Sequence, residues 1–580
     1  MSHSRTLSAR GARLLNCMAA RRATLSRPAT GLVSQPEPRS IGYLARGRQL
    51  CAGNFVFAGH LLQAPDTSIW ELAMPDAAFT SELHGFAWLD DLAAVGDAPA
   101  RTRAQAWLWD WIKRYGNGTG PGWTPDLTGR RLIRWISQAL FLLRGQPPEA
   151  SKPLFRSMAQ QTAFLARRWP ATNPGLPRFE ALTGLIYAGL ALEGMQHYLA
   201  PARAALAREC ETRIDAQGGV LTRNPEDLLD VLSLLTWSAL ALSEAGHSAD
   251  DAHWRAVERI APTLRTLRHA DGGLARFHGG GRGLEGRLDA ALAASGVKTR
   301  VTQGLAMGFA RLSAGRTSVI IDAAAPPLGA ASANAHASTL AFELTSGRRP
   351  LIVSCGSGSS FGTEWRRAGR ATPSHSTLVL AGQSSARLGS DAAQADWLIE
   401  APRQVLTSLS DAPDGHRFEG AQDGYARSHG LTHVRRLDLT ADGRGLAGED
   451  ILVAIDEADK RRFDHALDAT RLHGVPFDLR FHLHPDIDAS VDLGGTAVSL
   501  ALRSGEIWVF RSDGRAALSL QPSVYLEKTR LKPRAAEQIV LSGRATAYAT
   551  HVRWSLAKAK DTPVGIRDLI EDMPETTTEN

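Results

Sequence analysis

Near Ala310 to Thr317 the spacing of apolar residues changes from helical to alternating. That switch restricts the chain to a helical half followed by a strand half. At 580 residues the chain is also too long for one core, so two domains are expected, each able to bury a large interior. From Glu71 to Leu312 apolar residues recur at helical spacing. Thr124-Pro125-Asp126 reads as an N-cap, a proline at the first helical position and a first-turn carboxylate, and Asn224-Pro225-Glu226-Asp227 repeats that grammar, with Gly246 as the stop. Helical segments are expected at Lys152 to Trp169, Phe179 to Leu199, Leu228 to Ala245 and Asp251 to Leu267. Successive antiparallel helix pairs bury apolar stripes on both neighbours, which favours a curved array or toroid. Ten of the fourteen tryptophans fall at or before Trp254, Trp107, Trp109 and Trp111 among them. They read either as helix-packing core or as platforms for sugar rings.

After Thr317 short alternating runs are divided by polar hairpin tips such as Ser346-Gly347, Asp442-Gly443, Ser504-Gly505 and Asp513-Gly514. The pattern predicts an antiparallel sandwich of two packed sheets. In the run Phe477 to His484 it turns Phe477, Leu479, Phe481 and Leu483 inward and leaves Arg480, His482 and His484 outward and accessible. The expected organisation is an α+β multidomain chain: a leader over 1–48, an (α/α) incomplete toroid over 49–312, a sandwich over 313–560 and a tail over 561–580.

The formal charge of +7 is carried mainly by arginines interspersed with acids, which argues against nucleic acid and fits an acidic partner that guanidinium can grip in a bidentate way. Cys17, Cys51, Cys210 and Cys355 lie far apart without C-x-x-C spacing, so buried inert thiols are expected. The first forty-eight residues are basic and expected to be poorly ordered, and they lack the apolar run of a secretory signal. No stretch approaches the roughly 20 apolar residues of a membrane span. Neither G-x-x-x-x-G-K-[ST] nor H-E-x-x-H occurs.

Candidate chemistry centres on imidazoles at strands. His375 opens an apolar strand after a Gly/Arg-rich loop, where a side chain is held by the sheet and reachable by a base's or a metal's partner; capping of that strand is the plainer role. Tyr425 to Arg436 places a phenol, His429, His433 and three guanidiniums within a dozen residues.

The order of helical array and sandwich, with Ser374-His375-Ser376-Thr377-Leu378, Gly424-Tyr425, His433-Val434-Arg435-Arg436-Leu437, Asp450 and Phe481-His482-Leu483-His484-Pro485, resembles the heparinase II/III family of polysaccharide lyases. Glu82 to Leu89 and Pro125 to Ile136 look like matching helical-domain segments, and the likeness covers roughly Gly53 to Leu556. The resemblance implies β-elimination on a uronate-containing polysaccharide, heparin-like or another acidic polymer, in a cleft where the two domains meet. A base removes the proton beside the carboxylate, donors neutralise that carboxylate, and a Tyr or His protonates the leaving oxygen. It also implies a periplasmic or envelope location and a structural divalent metal, zinc or calcium, near the His-x-Thr strand; no cofactor is needed for the elimination itself.

Carried over by position, His375 is the catalytic or metal-binding imidazole, His433 a second ligand, and Asp391 or Asp396 a carboxylate ligand. The helical domain departs from the family where Arg178, Glu180, Arg223 and Asn224 stand. These are expected to bind a carboxylate (Arg178, Arg223), to support it (Glu180) and to neutralise it (Asn224), although Asn224 also reads as a helix cap. Tyr425 and Tyr187 are the available proton donors, neither at the family's position. Two other readings follow from the same residues: a non-catalytic protein that binds or processes acidic polysaccharide at the cell envelope, and a glycoside hydrolase using Glu180 and Glu226.

Overall fold

The computed structural model describes residues 2–299, 304–390 and 394–560, and the side chains of residues 2–9 lie outside that description. The expected tail, residues 561–580, and the candidate Asp391 also lie outside it. The chain divides into two compact units. Unit 1 contains residues 1–220, 229–261 and 286–298, and unit 2 contains 221–228, 262–285 and 299–580. The switch of period therefore marks where strands begin, while unit 2 also recruits two stretches of the helical half.

Unit 1 is built from α1 (Ser2–Ala23), α2 (Leu44–Cys51), a hairpin of β1 (Asn54–Phe57) and β2 (His60–Gln63), α3 (Ala77–His84), α4 (Ala87–Val95), α5 (Ala98–Tyr115), α6 (Pro125–Ser137) and α7 (Ala139–Leu143). There follow α8 (Ser151–Arg168), α9 (Leu176–Ala191), α10 (Leu199–Arg213), α11 (Pro225–Glu244), α12 (Asp251–Thr266) and α13 (Arg287–Ser295). Asp76 and Asp97 cap α3 and α5 by accepting the N–H groups of Phe79 and Ala100. Thr124, expected to cap α6, makes no such bond, and proline at the first position starts that helix instead.

One expectation for unit 1 is corrected and one open alternative is decided. The basic leader is folded, because Ala20 and Ala23 give α1 a small apolar face that packs on α8. Gln160 Nε2 donates to Ala20 O and Arg168 Nε to Asn16 Oδ1, and Leu32 bridges to Leu192. Six of those ten tryptophans are core, and Trp88, Trp111 and Trp135 are fully buried, with Phe86 and Trp88 ring centroids 4.6 Å apart and those of Trp111 and Trp135 5.3 Å apart. Rings buried against one another in this way have no surface left for a sugar.

The strands of unit 2 begin with β3 (Phe309–Ala314), β4 (Thr317–Asp322), β5 (Phe342–Ser346), β6 (Arg349–Val353), β7 (Leu378–Leu380), β8 (Arg387–Leu388) and β9 (Leu398–Glu400). They continue with β10 (Val405–Ala412), β11 (Gly415–Gln422), β12 (Thr432–Thr440), β13 (Gly445–Val453), β14 (Val475–Leu483) and β15 (Asp488–Asp492). The last are β16 (Ala497–Ala501), β17 (Ile507–Ser512), β18 (Ala517–Tyr525), β19 (Arg534–Ala545) and β20 (Ala549–Lys558). Three helices interrupt them: α14 (Thr363–Gly369), α15 (Ala426–His429) and α16 (Glu457–Ala469).

One sheet runs β10-β11-β12-β13-β20-β17-β16-β15 and the other β18-β19-β14-β6-β5-β4-β3, with β7 also paired to β14. Among the described residues the strand pairings are antiparallel, as alternation with short polar turns predicts. The sheets meet where Phe342 stacks on Trp554 at 5.8 Å and Phe481 packs against Trp554 at 4.7 Å. Phe477, Leu479, Phe481 and Leu483 point into this core as the alternation requires. The opposite row is corrected: His482 is covered by the segment that carries Pro373, and His484 packs on Tyr525.

Candidate functional site

The polar centre of unit 2 is a buried layer of three imidazoles, one carboxylate and one guanidinium. Arg223, at a positive φ of 51° just before α11, extends its guanidinium to the start of the strands. Its Nε donates to Met307 O at 3.1 Å and Nη1 to Ala324 O and Ala325 O at 3.1 and 3.0 Å. Nη2 donates to Gly308 O at 2.8 Å and to Asp322 Oδ1 at 2.7 Å. All five donors of the planar fork are satisfied, which ammonium could not do. Asp322 is buried, which alone would raise its pKa, but Arg223 and His278 outweigh that and hold the carboxyl well below the usual carboxylate range. Ser338 Oγ also donates to its Oδ2 at 2.7 Å.

The imidazoles continue from that carboxylate in a fixed tautomeric chain. His278 Nδ1 accepts the His336 N–H at 3.1 Å, so its Nε2 carries the proton and lies 3.3 Å from Asp322 Oδ2. His336 Nε2 accepts the Gly279 N–H at 3.0 Å, which leaves a proton on Nδ1, an atom without a hydrogen-bond partner. The His336 ring lies 5.0 Å from that of His375, whose Nδ1 is 3.0 Å from Ser354 Oγ. Burial pushes His375 down to about 3 and His336 well below its ordinary value, so both rings are neutral near pH 7.

This layer supports a buried glycine loop with polar neighbours. Gly279 to Gly281 pass so close to their neighbours that a Cβ would lie 2.7 Å from Asn334 Cβ at Gly279 and 2.6 Å from Asn224 Oδ1 at Gly280. Gly281 N–H donates to Glu226 Oε2 at 3.0 Å, and Lys528 Nζ donates to the same oxygen at 2.7 Å. Asn334 is exposed and accepts from Arg366 Nη2 at 3.2 Å, beside exposed Trp365. Asn224, Glu226, Lys528, Asn334 and Arg366 thus gather around the glycine loop.

The sequence-derived roles fare unevenly against this geometry. His375 is fully buried, so it cannot meet a polymer as a base; packing behind the loop excludes that role. Asn224 is the cap of α11, its Oδ1 accepting from Glu226 N at 2.9 Å and Asp227 N at 3.4 Å, and its Nδ2 donating to Asp227 Oδ1. Arg223 binds protein carbonyls and Asp322 and has no donor left for a substrate carboxylate. Tyr425 is corrected as a proton donor, because it lies in the sandwich core with its hydroxyl donating to Leu378 O at 2.8 Å, and burial pushes its pKa upward. Tyr187 is likewise buried, within unit 1, and its pKa is raised by burial against the pull of Arg39.

Arg178 and Glu180 belong to unit 1 and have structural partners there. Arg178 Nη1 donates to Glu209 Oε1 at 2.9 Å, and Glu180 accepts from Arg130 Nε and Nη2 at 2.6 and 3.0 Å. The hydrolase reading loses its carboxylate pair in the same way, since Glu226 is held by Lys528 and Gly281.

The ligand set for a metal is not present in the expected form. His433 is buried with Asp450 and Arg435, its Nε2 2.7 Å from Asp450 Oδ1, while Arg435 Nη1 donates to Leu340 O and Ser376 O. It therefore braces the strand beneath His375 and does not join it. Asp396 pairs with Arg366. His336 Nδ1 and His375 Nε2 are buried atoms without hydrogen-bond partners, but the third neighbour is the Ser354 hydroxyl, and Asp322 is already engaged. Among the described residues no group of three or more His, Cys, Asp or Glu side chains is placed to hold a metal ion.

The heparinase II/III-like C-terminal family matches residues 296–555, and the chain is 32% identical over 550 residues to the FtsZ-localized protein C of Caulobacter vibrioides, covering 92% of each. The chain belongs to the heparinase II/III-like family. Solved structures agree on the fold: the chain matches Heparinase III with a TM-score of 0.67 at 13% identity, covering 94% of this chain and 90% of that one. It matches the heparan sulfate lyase HepC of Pedobacter heparinus with a TM-score of 0.56 at 13% identity, covering 94% and 88%. The helical region and antiparallel sheets of this heparinase II/III-like chain are thus those of the (α/α) toroid plus β-sandwich class. Sequence reasoning missed Asp322, His278, His336 and Lys528 as parts of the site. The signal for His336 was present in Ala335-His336-Ala337 at the mouth of an apolar run, but only the fold brings His278 to it.

Proposed function

We propose that this heparinase II/III-like chain is a division-site protein that associates with FtsZ, and that its lyase-type fold serves it as a binding module without β-elimination. The end-to-end similarity to FtsZ-localized protein C, across 92% of both chains, carries the first part. The chemistry of unit 2 supports the second. Elimination needs a base and an acid that both reach the sugar. The buried imidazoles, the capping role of Asn224 and the core position of Tyr425 leave the glycine loop without either. What remains at the loop are Lys528 and Arg366, each already paired with a carboxylate, Glu226 and Asp396, which are groups that hold a partner and do not pass a proton to a sugar.

A fluorescent fusion in the native host is expected to form a mid-cell band that disperses when FtsZ is depleted, and purified protein to co-sediment with FtsZ polymers. A band that survives depletion together with absent co-sedimentation would remove the proposal.

Eliminative cleavage is the second reading, favoured by the fold and by Lys528 standing over the Gly279 to Gly281 loop with Asn224 beneath it. Incubation with a panel of uronate polymers, following the ultraviolet absorbance of the new double bond, separates the readings. Unsaturated product that disappears in Lys528→Ala would select the enzyme.

A further inference from the structure

Of the four cysteines, Cys355 alone faces an imidazole. Cys210 is buried among apolar side chains that push its thiol up to about 12, and Cys17 donates to Gly118 O at 3.4 Å. Cys355 lies two residues after β6, with its Sγ 3.5 Å from His482 Nδ1 on β14 and 3.8 Å from Ser523 Oγ on β18. Ser523 Oγ is itself 2.8 Å from His482 Nδ1.

The tautomer of His482 follows from its other nitrogen. Nε2 lies 2.8 Å from Pro373 O, an acceptor only, so Nε2 carries a proton and Nδ1 presents its lone pair to the thiol and the hydroxyl. The His482 backbone is held by Ser376 Oγ at 2.9 Å, so the ring is positioned before any reaction. This is the arrangement of a nucleophile, a base and a group that orients the base. Burial would raise the Cys355 thiol, but His482, Ser523 and the Val524 N–H act together to lower it, opposite to Cys210.

We propose that Cys355 is a modification site for a small peroxide, with His482 as its base and Ser523 as the donor that steadies the thiolate. The thiol proton passes to His482 Nδ1. The thiolate sulfur attacks one peroxide oxygen, the O–O bond breaks, and the departing hydroxide takes the proton from Nδ1 and leaves as water. Sulfur is oxidised to a sulfenic acid as the peroxide is reduced, and His482 returns to its neutral form.

The size of the reagent follows from the packing. Cys355 is only 4% exposed, and a Cβ at Gly356, φ +100°, would lie 2.4 Å from Leu526 O, so the segment is closely packed and leaves room beside the sulfur only for a small reagent. Ser523 is partly exposed on β18, the edge strand of its sheet, which gives a water-sized molecule a short way in. The product would act on the site already described. Cys355 N–H donates to Ser374 O at 2.9 Å and the preceding Ser354 holds His375, so an added oxygen presses on the segment behind the glycine loop.

The folded full chain is exposed to hydrogen peroxide, the peroxide is removed with catalase, the chain is unfolded in urea containing dimedone so that every sulfenic acid is trapped, and each cysteine is read by peptide mass spectrometry. Cys355 is expected to be labelled about tenfold faster than Cys210, following its larger thiolate fraction. His482→Gln is expected to slow Cys355 labelling by a similar factor and to leave Cys17 and Cys51 unchanged. Labelling of Cys355 no faster than Cys210, or undiminished in folded His482→Gln, overturns the proposal. Ser523→Ala, at a partly exposed position, is the second variant; wild-type labelling there overturns it as well if His482→Gln does not fold.

Discussion

At the scale of single residues, Arg223 ties the 221–228 stretch of unit 2 to the first strands of the same unit through four carbonyls and Asp322. Its guanidinium also lies 4.6 Å from the centre of the Phe309 ring. Removing it would leave Asp322 buried and charged with only His278 and Ser338 beside it. Breaking one side of such a pair costs about 3–5 kcal/mol. Arg223→Ala is therefore expected to lower the urea midpoint by that equivalent, and Arg223→Lys to recover little, because one ammonium cannot reach five acceptors. A midpoint within experimental error of wild type would refute the clamp. The sequence showed an arginine at a helix start and assigned it to a substrate; its actual partners lie about 85 to 100 positions away, where no local pattern could point. His375 was legible as special for the reverse reason, since its whole neighbourhood from Thr372 to Leu380 is contiguous.

At the scale of elements, α6 and α9 cross at a pair of glycines. A Cβ on Gly184 would lie 2.5 Å from Gly129 Cα, and one on Gly129 would lie 2.3 Å from Glu180 O, so the two backbones touch where side chains would hold them apart. Gly184→Ala is expected to destabilise unit 1 by about 1–3 kcal/mol through overpacking, despite the better helix propensity of alanine. Circular dichroism should show unchanged helix content with an earlier denaturation midpoint; a later midpoint would refute the close approach. Elements with strong periodicity were placed from sequence within a few residues, α8, α11, α12, β12, β13 and β14 among them. The strands β18 and β19 were not, although β19 spans Arg534–Ala545. Pro522 lies within β18, tolerable only because β18 is an edge strand, and Arg534 to Gln538 do not alternate. Helix α16, capped by Asp456 accepting the Asp459 N–H, was also missed, inside a stretch read as strands.

At the scale of the whole molecule, buried neutral histidines make folding sensitive to acid. Burial lowers His84, His375 and His484 to about 3 and also depresses His253, His278, His336, His429 and His433. The unfolded chain binds protons at these sites below about pH 6.5 while the folded chain does not. Their contribution is thus complete above that pH and is lost as pH falls toward 3, at up to about 1.4 kcal/mol per pH unit for each group. Burial raises Glu180 to about 7 and Asp91 to about 6, which works in the opposite direction but involves two groups against eight. Urea midpoints measured at pH 7.5, 6.5 and 5.5 are expected to fall in that order, and a flat series would refute the linkage.

The sequence by itself determined the class of fold, because periodicity, capping and turn residues act between neighbours a few positions apart and 580 residues supply many of them. It also carried the family, through blocks of contiguous strand residues. Only the tertiary structure decided which groups form a site. His278, Asp322, His336 and Arg223 converge from separate stretches, and burial then removes His375 and Tyr425 from contact with a polymer. Solvent exposure and hydrogen-bond partners are properties of the packed chain, so no spacing along it could have reported them.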